Sequence, residues 1–98
     1  MYTVKTLPEF DKWLNSLKDR MTKQRLSVRL RKATLGNLGD VKPVWDGVYE
    51  MREYFGPGWR MYYAKRGETL IMMLGGGDKG SQKTDIATAK QRNSMLED

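Results

Sequence analysis

Two arginines, two tyrosines and a pair of lysines carry most of the chemistry this chain can perform. Alternation with a period of two puts Val48, Glu50, Arg52 and Tyr54 on one face of a strand, against Tyr49, Met51, Glu53 and Phe55 on the other. In the next run, Arg60, Tyr62 and Ala64 oppose Trp59, Met61 and Tyr63. If apolar helices cover the Met51/Met61 face, the opposite face presents Glu50, Arg52, Arg60 and Tyr62. Lys79 and Lys83 then fall just beyond the end of a third strand. Guanidinium forks hold phosphate bidentately, and aromatic faces stack on splayed bases, so such a face suits RNA. The competing reading is an ion pair, Glu50–Arg52 or Glu50–Arg60, across a solvated sheet. Cross-strand pairing is common enough to give that reading a slight edge on the residues alone. Glu50 can do both by holding an arginine in place.

Composition removes many other chemistries. Among 98 residues there is no Cys and no His. Thiolate nucleophiles, disulfides, zinc–sulfur clusters and imidazole catalysis are therefore excluded. Lys plus Arg is 18 against 12 Asp plus Glu, a net charge of +6. That field favours nucleic acid, an acidic protein or an anionic membrane, with plain solubility as the alternative. Two motifs are decoys. Gly75-Gly76-Gly77-Asp78-Lys79-Gly80-Ser81 looks like a phosphate loop but lacks the G-x-x-x-x-G-K-[ST] spacing. Asp78, Asp85 and Glu50 are scattered among cations that oppose metal binding, so neither metal nor cofactor is expected.

The elements that must position these residues read as follows. Tyr2 to Thr6 alternates as a short strand. Pro8 opens a helix whose Phe10, Trp13, Leu14 and Leu17 follow the i, i+3, i+4, i+7 stripe. A second helix runs from about Asp19, a candidate N-cap, to Leu35. Met21, Leu26, Leu30 and Ala33 turn inward with Val28 at the border, and Lys23, Arg25, Arg29, Arg31 and Lys32 turn outward. Gly36-Asn37 and Gly39-Asp40 stop it. Three strands follow, Val48–Phe55, Trp59–Lys65 and Glu68–Leu74, joined by Gly56-Pro57-Gly58 and Arg66-Gly67. The glycine run at Gly75–Gly77 is expected to end the last strand. A weak, loosely docked helix then starts near Ser81, with Ile86, Ala89 and Leu96 as its apolar stripe. The expected fold class is α+β, one domain over 1–98, with an antiparallel meander packed on a helical hairpin. No apolar leader and no run of roughly 18 to 20 apolar residues is present, so a cytoplasmic protein without membrane partners is expected.

The run Gly36-Asn37-Leu38-Gly39-Asp40-Val41-Lys42-Pro43-Val44, followed by Gly47-Val48-Tyr49-Glu50-Met51-Arg52, resembles the RelE/ParE toxin superfamily. Gly56-Pro57-Gly58-Trp59-Arg60-Met61-Tyr62-Tyr63 and Gly76-Gly77-Asp78-Lys79-Gly80-Ser81-Gln82-Lys83-Thr84-Asp85-Ile86 resemble its HigB-like branch, the phage-associated addiction module killers. The resemblance spans nearly the whole chain. It implies a β-α-α-β-β-β body with a C-terminal helix and the role of a type II toxin–antitoxin toxin. It further implies a ribosome-dependent endoribonuclease that cuts messenger RNA and stops translation, neutralised by a helix-turn-helix antitoxin. Carried over by motif, Arg52, Arg60 and Lys79 are the catalytic candidates. Glu50, Tyr62, Tyr63, Gln82 and Lys83 are candidates for RNA binding, with Asp85 in support. Some HigB-type toxins use histidine, and this chain departs from them there.

The inventory fits metal-free cleavage, in which the RNA's own 2′-hydroxyl attacks the adjacent phosphorus. Arg52 and Arg60 would clamp the scissile phosphate, and Lys79 or Lys83 would neutralise charge or protonate the leaving 5′ oxygen. The ribosome would supply orientation. The alternatives are a ParE-like, non-enzymatic inhibitor of DNA gyrase and a degenerate toxin that only binds its antitoxin.

Overall fold

The computed structural model describes residues 1–96 and contains three α-helices and a five-stranded mixed sheet. The chain order is β1 (Thr3–Thr6), α1 (Pro8–Ser16), α2 (Arg20–Thr34), β2 (Val41–Pro43), β3 (Val48–Arg52), β4 (Trp59–Arg66) and β5 (Leu70–Asp78). A turn of 3-10 helix at Lys79–Ser81 then leads into α3 (Gln82–Ser94). Spatially the strands run β1-β5-β4-β3-β2, with β1 parallel to β5 and the other neighbours antiparallel. No helix among the described residues is long and apolar enough to cross a membrane.

Local chemistry sets the helix ends. Asp19 caps α2, its carboxylate accepting from the Met21 amide and the Thr22 hydroxyl. At the other end Gly36 adopts φ +96°, the Gly36 amide bonds Ala33 O, and the Asn37 amide bonds Lys32 O at 2.9 Å. That is a Schellman closure, and its left-handed residue is best supplied by glycine.

Each sheet face has its own core. The helical hairpin of α1 and α2 covers one, where Phe10, Leu26 and Ala33 meet Met51, Met61, Tyr63, Ile71 and Met73. The other is covered by α3, with Ala89 against Val44, Val48, Tyr62, Ala64 and Leu74. The hairpin thus packs on the Met51/Met61 face, the condition under which Glu50, Arg52, Arg60 and Tyr62 share the opposite one.

Three expectations are corrected. The meander gains β2, a three-residue edge strand carrying Pro43, too short to show periodicity. Proline is tolerated there because an edge strand need not donate on its outer side. Secondly, β5 does not stop at Leu74 but continues through Gly75, Gly76 and Gly77 to Asp78. The glycines are there for close approach. A Cβ at Gly76 would lie within 2.7 Å of three Trp13 ring carbons of α1. One at Gly75 would sit 2.7 Å from Arg92 Nη1 of α3, and one at Gly77 would overlap the Asp85 carboxylate. Thus Gly76 serves the hairpin face, and Gly75 and Gly77 serve α3. A register shift between Tyr62 and Tyr63 leaves Leu74 as an extra residue and puts Leu74 and Gly75 both on the α3 side. Thirdly, α3 is tied down rather than loose. Arg92 donates to Leu74 O at 2.7 Å, Arg66 donates to Asn93 Oδ1 at 2.7 Å, and Gln82 donates to Glu50.

Candidate active site

Strand pairing brings the two candidate arginines together. Arg52 closes β3 and Arg60 lies second in β4, and the two are direct cross-strand partners on the α3 side of the sheet. Both guanidinium carbons lie 5.6 Å from the centre of the Tyr54 ring, which is 67% exposed. Lys79 reaches the same corner from the end of β5. A Cβ built on Gly58 (φ +83°) would be 3.4 Å from Lys79 Cβ and 3.6 Å from Arg60 Nη1. A bare glycine therefore separates the lysine from the buried arginine.

The two arginines are held differently. Arg60 is almost completely buried. Its Nη1 donates to Glu53 O at 2.9 Å and Trp59 O at 3.0 Å. Its Nε faces Glu50 Oε1 at 3.9 Å, too long for a hydrogen bond, and is left without a partner. Glu50 is buried too, and accepts from Gln82 Nε2 at 2.7 Å. A chain Gln82–Glu50–Arg60 therefore joins α3 to the sheet, so the cross-strand ion pair forms and holds the arginine. Arg52 is half-buried. Its Nε lies 3.5 Å from Asp40 Oδ2 and likewise lacks a hydrogen-bond partner.

The Tyr54 hydroxyl donates to Asp40 Oδ2 at 2.6 Å. That bond lowers the Asp40 pKa, against desolvation and with help from the Arg52 charge. The same bond raises the Tyr54 pKa. Desolvation disfavours the Arg52 charge, but Asp40 and Tyr54 outweigh it and raise the Arg52 pKa. The corner holds a fixed positive charge with its tyrosine protonated at neutral pH.

The remaining candidates are placed less openly than alternation predicted. Tyr62 is buried beneath α3, and its hydroxyl has no hydrogen-bond partner among the described residues. Burial first, then the Glu50 charge, raises its pKa, so it offers no phenolate. Tyr63 lies on the hairpin face inside the core, stacked on Tyr49 with centroids 5.4 Å apart. It has no free ring face for a base, which corrects the expectation of RNA contact there. Lys83 is exposed on the first turn of α3, and Asp85 accepts from the Ser81 hydroxyl. No group of three or more His, Cys, Asp or Glu residues suited to a metal ion occurs among the described residues.

Tyr63 gives a pH prediction. Burial, and then Tyr49 and Tyr2, push its hydroxyl up to about 12 from an ordinary 10. A raised folded-state pKa means the stabilisation is complete below the unfolded value and lost as pH rises through the folded one. Stability should fall between about pH 10 and pH 12. Denaturant midpoints for Tyr63→Phe should show a shallower decline across that window than the parent chain.

Residues 9–94 match the family described as "Phage derived protein Gp49-like (DUF891)". The chain belongs to this family. It is a family of type II toxin–antitoxin toxins, the addiction module killers, which gives the chain a toxin role and a cognate antitoxin as partner. A relative in Haemophilus influenzae, named only as an uncharacterized protein, is 40% identical over 87 residues, covering 89% of this chain and 88% of its own.

In this Gp49-like chain the supporting residues at the arginine corner were hard to read from sequence. Arg29, expected on the outer face of α2, is buried instead. Its guanidinium donates to Leu38 O, Asp40 O and Arg52 O and pairs with the Glu53 carboxylate. It anchors both segments that carry the corner, the one ending at Asp40 and the end of β3. Gly39 (φ +70°) lies against it, since a Cβ there would be 2.9 Å from the guanidinium. Asp40 and Tyr54 were visible as residue types, but the contact between them depends on a turn and on an unrecognised edge strand.

Proposed function

We propose that this toxin is a metal-independent endoribonuclease of the RelE/ParE type, closest in kind to the HigB-like branch, acting on messenger RNA at the ribosome. The observation that carries the reading is the arginine corner. Cross-strand pairing sets the Arg52 and Arg60 guanidiniums side by side, Lys79 adjoins Arg60 across Gly58, and the exposed Tyr54 ring lies 5.6 Å from both guanidinium carbons. Cations fixed in advance by their neighbours suit a group whose negative charge grows during reaction.

In this reading the 2′-hydroxyl of the RNA releases its proton to solvent as its oxygen attacks phosphorus, and the bond to the 5′ oxygen breaks, leaving a 2′,3′-cyclic phosphate. Arg52, the more open of the two arginines, holds a non-bridging phosphate oxygen. Arg60, set behind it by Glu50 and Gln82, supplies positive potential at short range. Lys79 delivers a proton to the departing 5′ oxygen, and Lys83 on the next turn steers the backbone. Tyr62 acts only through packing, and stacking on a base falls to Tyr54. The cognate antitoxin of this reading is a helix-turn-helix protein, and the site of action is the cytoplasm.

Mapping RNA 5′ ends within minutes of induction tests the proposal. New ends inside coding regions, in register with codons and absent from an Arg52→Ala control, are the expected result. Gyrase-dependent DNA breaks with intact messenger RNA would instead assign the chain to the ParE-like inhibitors. Neither lesion would leave it as an antitoxin-binding protein without activity.

A further inference from the structure

The strongest feature outside the arginine corner is the outer face of α2. This helix carries six basic residues and no acidic one, a surplus equal to the net charge of the whole chain. Yet the face is not simply a solvated basic surface. Met21, Val28 and Leu35 recur every seven residues and are 68%, 41% and 66% exposed. With 100° per residue they fall on one stripe, and Arg25 and Lys32 fall on the same stripe between them. Met21 was expected to turn inward. It does not, because Thr22, Leu26, Arg29 and Ala33 occupy the buried side.

Beside this stripe runs an open groove of about 520 Å³. Met21, Arg25, Val28 and Lys32 form one wall, and Tyr54 and Phe55 from the β3–β4 connection form the other. The Arg25 guanidinium lies 4.3 Å from the Phe55 ring centre, so that aromatic face is already covered.

We infer that this groove receives an acidic amphipathic helix of the cognate antitoxin. The stripe from Met21 to Leu35 extends roughly 21 Å at 1.5 Å per residue, the length of about four turns. A partner helix with one apolar residue per two turns would cover Met21, Val28 and Leu35, and its carboxylates would meet Arg25 and Lys32. RNA is the weaker occupant. Phosphates need the cations but not three exposed aliphatic side chains in register, and the Phe55 ring is not free to stack. Because Tyr54 both lines the groove and touches the arginine corner, a helix seated here also covers the approach to Arg52. The inference rests on the toxin–antitoxin role, and the ribonuclease reading enters only through that last consequence.

The test measures equilibrium binding of the purified cognate antitoxin to the full chain and to Val28→Asp/Lys32→Glu, with Met21→Lys as a second variant. All three positions are solvent-facing, and circular dichroism checks folding. The expected result is at least tenfold weaker binding for the double variant, a smaller loss for Met21→Lys, and RNA cleavage without antitoxin unchanged in both. The chain has no cysteine, so a spin label at Val28→Cys reports the groove alone and should become immobile when antitoxin is added. Parent-like affinity in both variants would overturn the inference. So would a loss of RNA cleavage with antitoxin affinity intact, which would assign the groove to nucleic acid. Affinity is read without any cleavage assay, so a chain that cuts no RNA would sink the ribonuclease reading and leave this one standing.

Discussion

Arg52→Ala is expected to slow messenger RNA cleavage in a translating extract by roughly 10²–10³-fold, the usual consequence of deleting one fixed donor to a developing charge. The fold should survive the change. Arg52 is half-exposed and its charge partner is the exposed Asp40, and a surface pair of this kind contributes little to stability. Lys79→Ala should behave similarly, because Lys79 is exposed at the end of β5. Arg60→Ala is a poorer probe. Removing Arg60 strands the buried Glu50 carboxylate with only Gln82 for company, and breaking a buried pair typically costs about 3–5 kcal/mol. Its cleavage would fall together with its thermal stability. Arg52 and Lys79 separate chemistry from folding and Arg60 does not. Full activity in folded Arg52→Ala and Lys79→Ala proteins would refute the assignment of the corner.

The second large effect concerns folding. Gly76→Ala should destabilise the chain by about 3 kcal/mol, the upper end of the cost of overpacking a core. The added methyl would press on the Trp13 ring, which would have to shift out of its contacts with two other rings. Its centroid lies 5.7 Å from Phe10 and 6.4 Å from Trp59. For a chain of about 100 residues each kcal/mol moves Tm by about 4–8 °C, so the expected drop is roughly 12–24 °C by differential scanning calorimetry. Gly67→Ala is the natural control, since nothing lies within 4 Å of its Cβ position. It retains only the strain of φ +65°. A Tm for Gly76→Ala within a few degrees of the parent would mean that Trp13 does not pack as described.

The same glycines show how far the sequence could be read. Alternation put Met51 and Met61 on a common face correctly, because a period of two is enforced by the pleat and needs no tertiary knowledge. It also put Arg52 and Arg60 on one face. What alternation could not show was that α3 would cover much of that face, turning Glu50, Arg60 and Tyr62 from a solvated surface into a buried polar cluster. Gly75, Gly76 and Gly77 were read as a strand end because glycine weakens strands in isolation. In the folded chain the missing side chains make room for Trp13 on one side and for Arg92 and Asp85 on the other, a demand visible only once the helices are docked. Arg29 escaped notice for a similar reason. Its partners are mainly backbone carbonyls of a loop, and carbonyls leave no trace in a sequence. The Asp40–Tyr54 bond joins residues 14 apart through an edge strand of three residues, too short for any periodic signal.

Ribosome-bound messenger RNA carrying a single 2′-deoxy substitution at a mapped cut site offers the sharpest measurement, with the purified toxin added and fragment ends identified by mass spectrometry. The ribose substrate should yield a 2′,3′-cyclic phosphate and a free 5′-hydroxyl, while the deoxy substrate stays intact at that linkage. Cutting of the deoxy linkage at an undiminished rate, or fragments bearing 5′-phosphates, would contradict a corner that works by straining the RNA's own sugar–phosphate link.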